Sequence, residues 1–296
     1  MQHIVPVVME ALKKAGSRLE DVDAFAFTQA PGLIGALLIG AQFAKSMSLA
    51  FNKPLIAANH MQAHVLANLI DEPAPSFPYL CLTVSGGHTQ IVLCKSPGDL
   101  EVIGQTIDDA AGEAFDKSAK ILGLPYPGGP LIDKYAKSGN PKAYTFPEPK
   151  IDGLNFSFSG VKTSILYFLQ NAGTSNVYNE ASVVSDEQRK KFIAENLPDI
   201  CASIQNRLVS ILLNKLKKAV IQTGISRVCI AGGVSANSGL RAAFMQTGEE
   251  LGWQTFIPRF EYCTDNAAMI AITAYYKYLD EDFAPLSVSP MARAEW

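Results

Sequence analysis

The sequence has 296 residues, of which 48% are hydrophobic and 18% are charged, so it can bury one large core or two lobes with a cleft between them. A formal net charge of −3 gives the chain no overall basic character of the kind that marks a general nucleic-acid-binding protein. We find no signal-peptide pattern and expect no transmembrane helix, which predicts a cytoplasmic protein that does not contact a membrane.

The cysteines give no sign of a disulfide framework. They are odd in number and form no Cys-x-x-Cys pair, and most of them lie in apolar, strand-like runs. The positions are Cys81, Cys94, Cys201, Cys229 and Cys263. We therefore expect buried, reduced thiols.

The first quarter of the chain alternates helical and strand patterns. Apolar residues at helical spacing run from Ile4 to Ala15 and stop at Gly16, a residue typical of a helix C-terminus. A strand is predicted over residues 22–28, a helix rich in small residues over 33–51, and a second strand over 55–58. This alternation indicates an α/β lobe.

Two histidines, His60 and His64, lie four residues apart in the next predicted helix. This spacing places both imidazoles on one helix face, where they suit a first-row divalent metal with an open position for a substrate. His60 also follows strand 55–58 directly, and open α/β sheets bind ligands at the ends of their strands. The alternative is that both histidines are ordinary polar residues on a solvated helix face.

Three prolines within residues 71–78 indicate a boundary between two lobes. We expect a first lobe of residues 1–76 plus 266–296 and a second lobe of residues 77–265, with a helical insertion at about 145–223. Two long amphipathic helical stretches are predicted between Asp186 and Thr223.

The second lobe begins with two predicted strands, 79–84 and 89–94. They are joined by Ser85-Gly86-Gly87-His88, whose backbone N–H groups can bind a phosphate, although a plain hairpin gives the same pattern. A helix follows that ends at Leu122 and carries Asp116, an acid that can also serve only as a partner of the helix dipole.

Two further glycine-rich segments follow. Pro127-Gly128-Gly129-Pro130 precedes a short predicted helix with Asp133, which offers amides and a carboxylate to a ribose or an adenine. Strand 227–231 runs into Gly232-Gly233-Val234-Ser235-Ala236-Asn237 and then a helix from Ser238 to Glu250, an order that suits a nucleotide but also a tight structural turn. After a strand at 254–258, Asp265 lies at the start of a last helix, 267–278.

Several of these segments, taken in order and spacing, resemble one family. They are the His60/His64 helix, Ser85-Gly86-Gly87-His88-Thr89, Gly112-Glu113-Ala114-Phe115-Asp116-Lys117, Tyr126-Pro127-Gly128-Gly129-Pro130, Gly232-Gly233-Val234-Ser235-Ala236-Asn237 and Thr264-Asp265-Asn266. The sequence is similar over essentially its whole length to the TsaD family of tRNA threonylcarbamoyladenosine transferases. The resemblance implies the actin-like ATPase (ASKHA) fold, in which two related α/β lobes flank a nucleotide cleft.

The resemblance also implies a reaction and its site. The threonylcarbamoyl group of threonylcarbamoyl-AMP is transferred to N6 of the adenosine immediately 3′ of the anticodon in tRNAs that read ANN codons, and AMP leaves. By match of position, His60, His64 and Asp265 are expected to bind one divalent metal, Fe²⁺ first and Zn²⁺ as the alternative, and no further catalytic residue is assigned. The implied substrate-binding residues are Thr83, Val84, Ser85, Gly86, Gly87, Asp116, Gly129, Asp133 and Asn237. The implied protein partners are TsaB-like and TsaE-like.

The sequence departs from the family pattern in one respect. Family members carry a further N-terminal segment, an acid-containing strand hairpin on the phosphate side of the cleft, and nothing here corresponds to it. We therefore expect a truncated first lobe and impaired turnover.

Three other functions are compatible with parts of the pattern. A metalloprotease of the His-Glu-x-x-His type is disfavoured because Met61 follows His60 and no acid separates the histidines. A sugar kinase or ATPase of the same fold does not need the two histidines. A non-catalytic, TsaB-like partner subunit is expected to lack the set formed by His60, His64 and Asp265.

Overall fold

The computed structural model describes residues 3–171 and 184–294. By their internal contacts these residues form two compact units. Of these described residues, the first unit contains 3–74, 96–100 and 265–294, and the second contains 75–95, 101–171 and 184–264. Both units combine strands with helices, which confirms the α/β class.

The strands of the described ranges are β1 (Phe25–Ala30), β2 (Leu55–Asn59), β3 (Tyr79–Val84), β4 (Thr89–Ser96), β5 (Asp99–Gln105), β6 (Arg227–Ala231) and β7 (Gln254–Phe256). The helices are α1 (Ile4–Ala15), α2 (Ile34–Phe51), α3 (His60–Leu66), α4 (Ala111–Ile121), α5 (Gly128–Ala136), α6 (Ser159–Gln170), α7 (Asp186–Thr223), α8 (Ser238–Leu251), α9 (Phe260–Cys263) and α10 (Ala267–Leu279).

The first unit is built on β1 and β2, which pair in parallel. Helix α2 covers β1 with alanines, whose small side chains let the backbone of the helix approach the strand. Phe27, Ala41, Ala44 and Leu55 form the small buried core between them. Helices α3 and α10 pack against each other and against β2, which places the end of β2 beside the start of α10.

Helix α2 bears on the expectation that no helix crosses a membrane. Its 18 residues have a mean hydropathy of 1.4, so by length and composition alone it is apolar enough for a membrane span. One such helix is weak evidence, because core helices of soluble proteins satisfy the same criterion. The expectation is not overturned and stays a prediction.

The second unit is built on a five-stranded sheet in the order β5-β4-β3-β6-β7. The pair β3–β4 is antiparallel, whereas β6 is parallel to both β3 and β7. All six residues of β3 are buried, as expected for a central strand with both faces covered. Strand β5 was not predicted, because its apolar residues are interrupted by acids and a glycine.

Helix α7 is one continuous helix of 38 residues, where we predicted two amphipathic stretches. Pro198 lies inside it and removes one backbone hydrogen bond, yet the helix continues because Ile200, Ile204 and Leu208 are fully buried in the core immediately afterwards. The predicted helical insertion is only partly helical, since residues 145–158 form no helix. Its residues 172–183 lie outside the described residues.

All five cysteines are buried and none forms a disulfide, as the sequence predicted. Burial raises the pKa of Cys201 to about 12 and also raises the pKa of Cys94 well above its usual range. Neither thiol is therefore ionised at neutral pH, which removes both as nucleophiles.

Candidate metal centre and nucleotide pocket

Helix α3 carries the two histidines at the carboxyl end of β2. The side chain of Asn59 begins the helix, because its Oδ1 accepts hydrogen bonds from the backbone N–H groups of Met61 at 2.8 Å and Gln62 at 3.1 Å. His60 is the first helical residue and His64 follows one turn later. His64 is buried, with 3% of its side chain exposed, so its imidazole is held firmly.

The structure brings Asp265 to these histidines. Its Oδ1 lies 3.4 Å from His60 Nε2 and 3.2 Å from His64 Nε2, and the two imidazole rings meet edge to face with centroids 4.8 Å apart. One ligand atom from each of the three residues lies within 4.8 Å of the other two. Asp265 comes from the connection between α9 and α10, far from α3 in the sequence.

The three residues fit a single metal ion. Atoms bound about 2.1 Å from one metal at tetrahedral or cis-octahedral angles are separated by about 3.0–3.5 Å, which matches the two distances from Asp265 to the histidines. Two imidazole nitrogens and one carboxylate oxygen leave coordination positions for a substrate. His60 and Asp265 also line an open cavity of 710 Å³.

A second cavity, of 290 Å³, lies entirely within the second unit. It is lined by Gly86, Gly112, Phe115, Asp116, Pro127, Gly129, Pro130, Asp133, Gly233, Val234, Ala236 and Asn237. Three glycine-rich segments therefore meet in one concave site, together with two carboxylates and one aromatic ring. This combination suits a nucleoside phosphate. We call the cavity the nucleotide pocket.

The two aspartates of the nucleotide pocket each bind the beginning of a helix. Asp116 Oδ1 accepts hydrogen bonds from Gly128 N–H at 2.8 Å and Gly129 N–H at 3.0 Å, at the N-terminus of α5. Asp133 accepts from the N–H and the hydroxyl of Ser238, at 3.2 and 2.8 Å, at the N-terminus of α8. A carboxylate has about four lone-pair sites, and these contacts leave Oδ2 with a free site in both residues, so both aspartates can also accept from ribose hydroxyls.

Asn237 lies at the junction of the pocket and α8. Its Oδ1 accepts from Leu240 N–H at 2.8 Å and so caps the helix, while its Nδ2 donates to the Oε1 of buried Gln205 at 2.7 Å. The amide orientation is thereby fixed. Nδ2 keeps one further hydrogen for a ligand.

Glycine is required at two places around the pocket for steric reasons. A Cβ atom on Gly232 would lie 2.5 Å from the carbonyl oxygen of Val84, and Gly232 has a φ of +85°. A Cβ atom on Gly112 would lie 2.6 Å from the carbonyl oxygen of Ser85. Both contacts bring a glycine backbone against the end of β3, where the turn of residues 85–88 begins.

The remaining residues named from the resemblance have other surroundings. Thr83 and Val84 are fully buried in β3 and do not line the nucleotide pocket. Ser85 closes the hairpin, because its backbone N–H donates to His88 O at 2.8 Å and its hydroxyl accepts from His88 N–H at 3.0 Å. At Gly86 and Gly87 nothing lies within 4 Å of an added Cβ atom, so this turn is open to a ligand.

Gly112 and Phe115 are among the pocket residues that were quoted in the sequence motifs but not predicted as site residues. Gly112 interrupts a helical pattern, and such a glycine is a recognised sign of close backbone approach. Phe115 lies one turn further along α4; it lines the cavity and is also buried in the core of the second unit. Its sequence context gave no signal, because an aromatic residue on an amphipathic helix is usually part of the core.

Comparisons with known proteins find similar sequences. The family "TsaD: tRNA N6-adenosine threonylcarbamoyltransferase" matches residues 1–272. The tRNA N6-adenosine threonylcarbamoyltransferase of Christiangramia forsetii is 58% identical over 295 residues, which cover 99% of this chain and 83% of the relative. The protein of the same name from Cytophaga hutchinsonii is 54% identical and covers 99% of this chain and 81% of the relative.

Solved structures support the fold. A crystal structure of full-length HypF in its phosphate- and nucleotide-bound form covers 94% of this chain and 41% of its own chain, with a TM-score of 0.65 at 12% identity. A second HypF structure, from T. kodakarensis, has a TM-score of 0.57 at 14% identity, with 92% of this chain and 44% of its own chain covered. The fold class predicted from the sequence, an actin-like ATPase fold, is confirmed.

Proposed function

Because the chain belongs to the TsaD family of tRNA N6-adenosine threonylcarbamoyltransferases, we propose that His60, His64 and Asp265 bind the divalent metal of its threonylcarbamoyl transfer. As a member of this family the protein is a transferase that modifies N6 of an adenosine in tRNA. The proposal assigns the parts of that reaction to particular residues.

One observation carries the assignment. Two histidines of one helix and an aspartate from a distant part of the sequence present two imidazole nitrogens and a carboxylate oxygen within 4.8 Å of one another. An ordinary ion pair needs only one histidine beside the aspartate. Here two histidines on one helix turn share one carboxylate oxygen, and one ring is half-buried whereas the other is buried. This arrangement is typical of a metal centre with an open side.

When bound, the metal polarises the carbamoyl carbonyl for attack by the weakly nucleophilic N6 amine and balances charge on the leaving group. The residues of the chain orient the reactants. Asp116 and Asp133 are positioned to accept hydrogen bonds from the ribose hydroxyls of the adenylate, and Asn237 to donate one. The open backbone of Gly86 and Gly233 lets a phosphate approach without steric hindrance.

Further parts of the proposal rest on the family resemblance. The donor is threonylcarbamoyl-AMP, and the acceptor is the adenosine immediately 3′ of the anticodon in tRNAs that read ANN codons. The protein works in the cytoplasm with TsaB-like and TsaE-like partners. A donor set of two nitrogens and one oxygen suits Fe²⁺, which we propose as the resident metal, with Zn²⁺ as the alternative.

Alanine variants of His60 and His64 and the Asp265→Asn variant test the assignment. Each should lose metal, measured by elemental analysis of purified protein, and transfer of labelled threonylcarbamoyl to tRNA should fall by about 100-fold or more, with partner proteins supplied. AMP binding, measured by calorimetry, should be retained, because these residues do not line the nucleotide pocket.

His3→Ala is the matched control. His3 is an exposed histidine at the start of α1 whose side chain makes no capping hydrogen bond, so its loss should change neither metal content nor transfer. The assignment is wrong if the His64→Ala and Asp265→Asn variants keep the wild-type metal content and transfer rate.

A further inference from the structure

The end of α5 and the residues that follow it carry an excess of positive charge. Residues 134–150 contain four lysines and only one acid, Glu148, although the whole chain has a formal net charge of −3. The carboxylate of Glu148 is itself engaged, because it pairs with Arg207 on α7 at 3.2 Å. Asp133, the acid just before this segment, accepts hydrogen bonds from Ser238. The first lysines of the segment are therefore not neutralised by the acids nearest to them in the sequence.

Three of these lysines, Lys134, Lys137 and Lys142, form what we call the basic stripe. Lys134 and Lys137 are three residues apart at the end of α5, so they project from one side of the helix, and Lys142 lies on the turn that follows. All three are exposed. Within residues 3–171 and 184–294, no carboxylate forms an ion pair with any of them. Their ammonium groups are therefore available to an anionic partner.

The backbone that carries the basic stripe is fixed at both ends. Asp116 holds the start of α5 through the N–H groups of Gly128 and Gly129. After the helix, Asn140 N–H donates to Asp199 Oδ1 on α7 at 2.8 Å. The turn lies so close to α7 that a Cβ atom on Gly139 would be 2.0 Å from the carbonyl oxygen of Pro198. The lysines thus extend from a rigid support.

An exposed aromatic residue, Tyr126, lies just before α5. It is 86% exposed, and in the part of the chain that the structure describes its side chain makes no hydrogen bond or ring contact. Tyr126 does not line the nucleotide pocket, but Pro127 and Pro130 do. Pro130 precedes Lys134 by four residues, so both lie on one side of α5. The basic stripe therefore begins beside the pocket, with a free aromatic ring at that end.

This combination fits RNA better than it fits a protein. Lysine is a point charge on a flexible stem that suits phosphates, whereas protein–protein interfaces are depleted in lysine. Proteins that bind single-stranded RNA join such cations, which follow the phosphate backbone, to aromatic rings on which unpaired bases stack. The basic residues near the start of α7 do not form a comparable surface, because Arg189 pairs with Asp186 and Lys191 with Glu195.

We propose that Tyr126, Lys134, Lys137 and Lys142 form an RNA-binding face of the second unit, where the lysines bind phosphates of the tRNA and Tyr126 stacks on one of its unpaired bases. The inference rests on the proposed function, because that function supplies the tRNA. Phosphate contacts carry no sequence information. This face therefore holds and orients the tRNA and does not select it.

The salt dependence of tRNA binding tests the basic stripe. An unmodified tRNA that reads ANN codons is titrated with the 296-residue protein, partner proteins supplied, and binding is followed by fluorescence anisotropy at several KCl concentrations. The Lys134→Gln/Lys137→Gln/Lys142→Gln variant should bind about tenfold or more weakly at about 0.1 M salt. The slope of log affinity against log salt should become shallower by about two, since each lost phosphate contact removes about 0.7–0.9.

The matched control removes the same charge elsewhere in the same unit. Lys190, Lys217 and Lys218 lie on α7, and none of them forms an ion pair within the described ranges. The Lys190→Gln/Lys217→Gln/Lys218→Gln variant should keep the slope of the wild type to within about half a unit. An equal change of slope in the two triple variants would mean that tRNA responds only to the net charge of the protein, and the inference would be overturned.

Tyr126 is tested by a different signature. Stacking releases no counterions, so Tyr126→Ala should weaken tRNA binding about fivefold or more and leave the salt slope unchanged. Tyr126→Phe keeps the ring and should bind like the wild type. Tyr167→Ala, at an exposed tyrosine on α6, is the control and should have no effect. Wild-type affinity in Tyr126→Ala would remove Tyr126 from the RNA-binding face.

Two further measurements separate this inference from the proposed function. AMP affinity and metal content test the proposed function, and both should be unchanged in the basic-stripe variant, because its three lysines line neither site. If the wild type binds neither AMP nor metal, the proposed function fails, whereas the inference is decided by the salt slope. If the basic stripe binds an acidic protein instead, its variant keeps the affinity and slope of the wild type for tRNA, and that result overturns the inference.

Discussion

The metal triad and the nucleotide pocket use aspartate in opposite ways. In the first unit Asp265 is exposed and faces two imidazoles, so its carboxylate is directed at a ligand site. In the second unit Asp116 and Asp133 face backbone N–H groups at the starts of helices α5 and α8. The metal triad is thus made of side chains. The nucleotide pocket is made largely of backbone that side chains hold in place.

This difference determines what a mutation does in each place. Removing a ligand from the metal triad should abolish metal binding, and it should disturb the fold least at Asp265, whose side chain is 79% exposed. Removing a residue of the nucleotide pocket should weaken binding and stability together, because the same atoms shape the pocket and cap a helix. The following predictions run from the largest expected effect to the smallest. The first three change the nucleotide pocket, and the last changes neither site.

Gly232→Ala should have the largest effect on the pocket. The added Cβ atom would lie 2.5 Å from Val84 O, and the backbone has a φ of +85° that alanine rarely adopts. We expect a loss of about 2–4 kcal/mol in the free energy of unfolding and no measurable AMP binding, with metal content retained in the protein that folds. Urea denaturation and calorimetry measure both effects.

Gly87→Ala is the control for this variant, since nothing lies within 4 Å of its added Cβ atom and it does not line the pocket. It should change stability by less than about 0.5 kcal/mol. Equal stability of the Gly232→Ala and Gly87→Ala variants would show that β3 and the glycine turn do not approach each other as closely as the structure has them.

Asp133→Ala should have an intermediate effect on both properties. It removes the acceptor for the N–H and hydroxyl groups of Ser238, so we expect a loss of about 1–2 kcal/mol in stability and about tenfold weaker AMP binding. Metal content should be unchanged. Asp186→Ala, at an exposed acid near the start of α7, is the control. A drop in metal content in Asp133→Ala would mean that the two sites are not separable.

Asn237→Ser separates capping from ligand binding. Serine is a good N-cap, so the bond to Leu240 N–H can be replaced, whereas the amide that donates to Gln205 and faces the pocket is lost. Stability should fall by no more than about 1 kcal/mol, and AMP affinity should fall several-fold. Calorimetry that finds unchanged affinity would exclude Asn237 as a nucleotide ligand.

The Asp108→Asn variant should have the smallest effect on the two sites, and the pH dependence of its stability provides the test. Its carboxylate accepts from Phe158 N–H at 2.7 Å and from the N–H and hydroxyl of Ser159 at the start of α6. Burial opposes ionisation, but these hydrogen bonds outweigh it and hold the pKa of Asp108 below its ordinary value. Because the folded-state pKa is lowered, the stabilisation is present above the unfolded-state pKa and is lost as pH falls through the folded-state value.

The expected difference in stability between wild type and Asp108→Asn is therefore constant from neutral pH to about pH 5 and shrinks below about pH 4. Urea denaturation at a series of pH values measures it. AMP binding and metal content should be unaffected at neutral pH, because Asp108 lines neither site. A difference that grows as the solution is acidified would contradict a lowered pKa.

The sequence predicted the two sites to different degrees. His60 and His64 could be placed together from their spacing alone, because one helix turn is a local rule. Asp265 could be added only through the family resemblance, since no local rule brings a residue between α9 and α10 to α3. The third ligand of the triad depends on tertiary packing of α10 against α3 and β2, which the sequence does not reveal by itself.

The pocket shows the reverse pattern. Glycine-rich segments were recognised as ligand sites from composition, but the helix-capping roles of Asp116 and Asp133 were not, because their partners Gly128 and Ser238 belong to other elements. Strand β5 was missed because its apolar residues are few, and α7, predicted as two stretches, continues through Pro198. In each case long-range packing outweighed the local signal.

The most direct test of the whole account is the rate of threonylcarbamoyl transfer to tRNA. It is measured on protein that has been stripped of metal and then supplied with Fe²⁺ or Zn²⁺. Threonylcarbamoyl-AMP is the donor, and the partner proteins are present. The account predicts that stripped protein still binds AMP but transfers at least about 100-fold more slowly, and that one equivalent of metal restores transfer in the wild type but not in His64→Ala. Transfer by stripped protein at the full wild-type rate would contradict it.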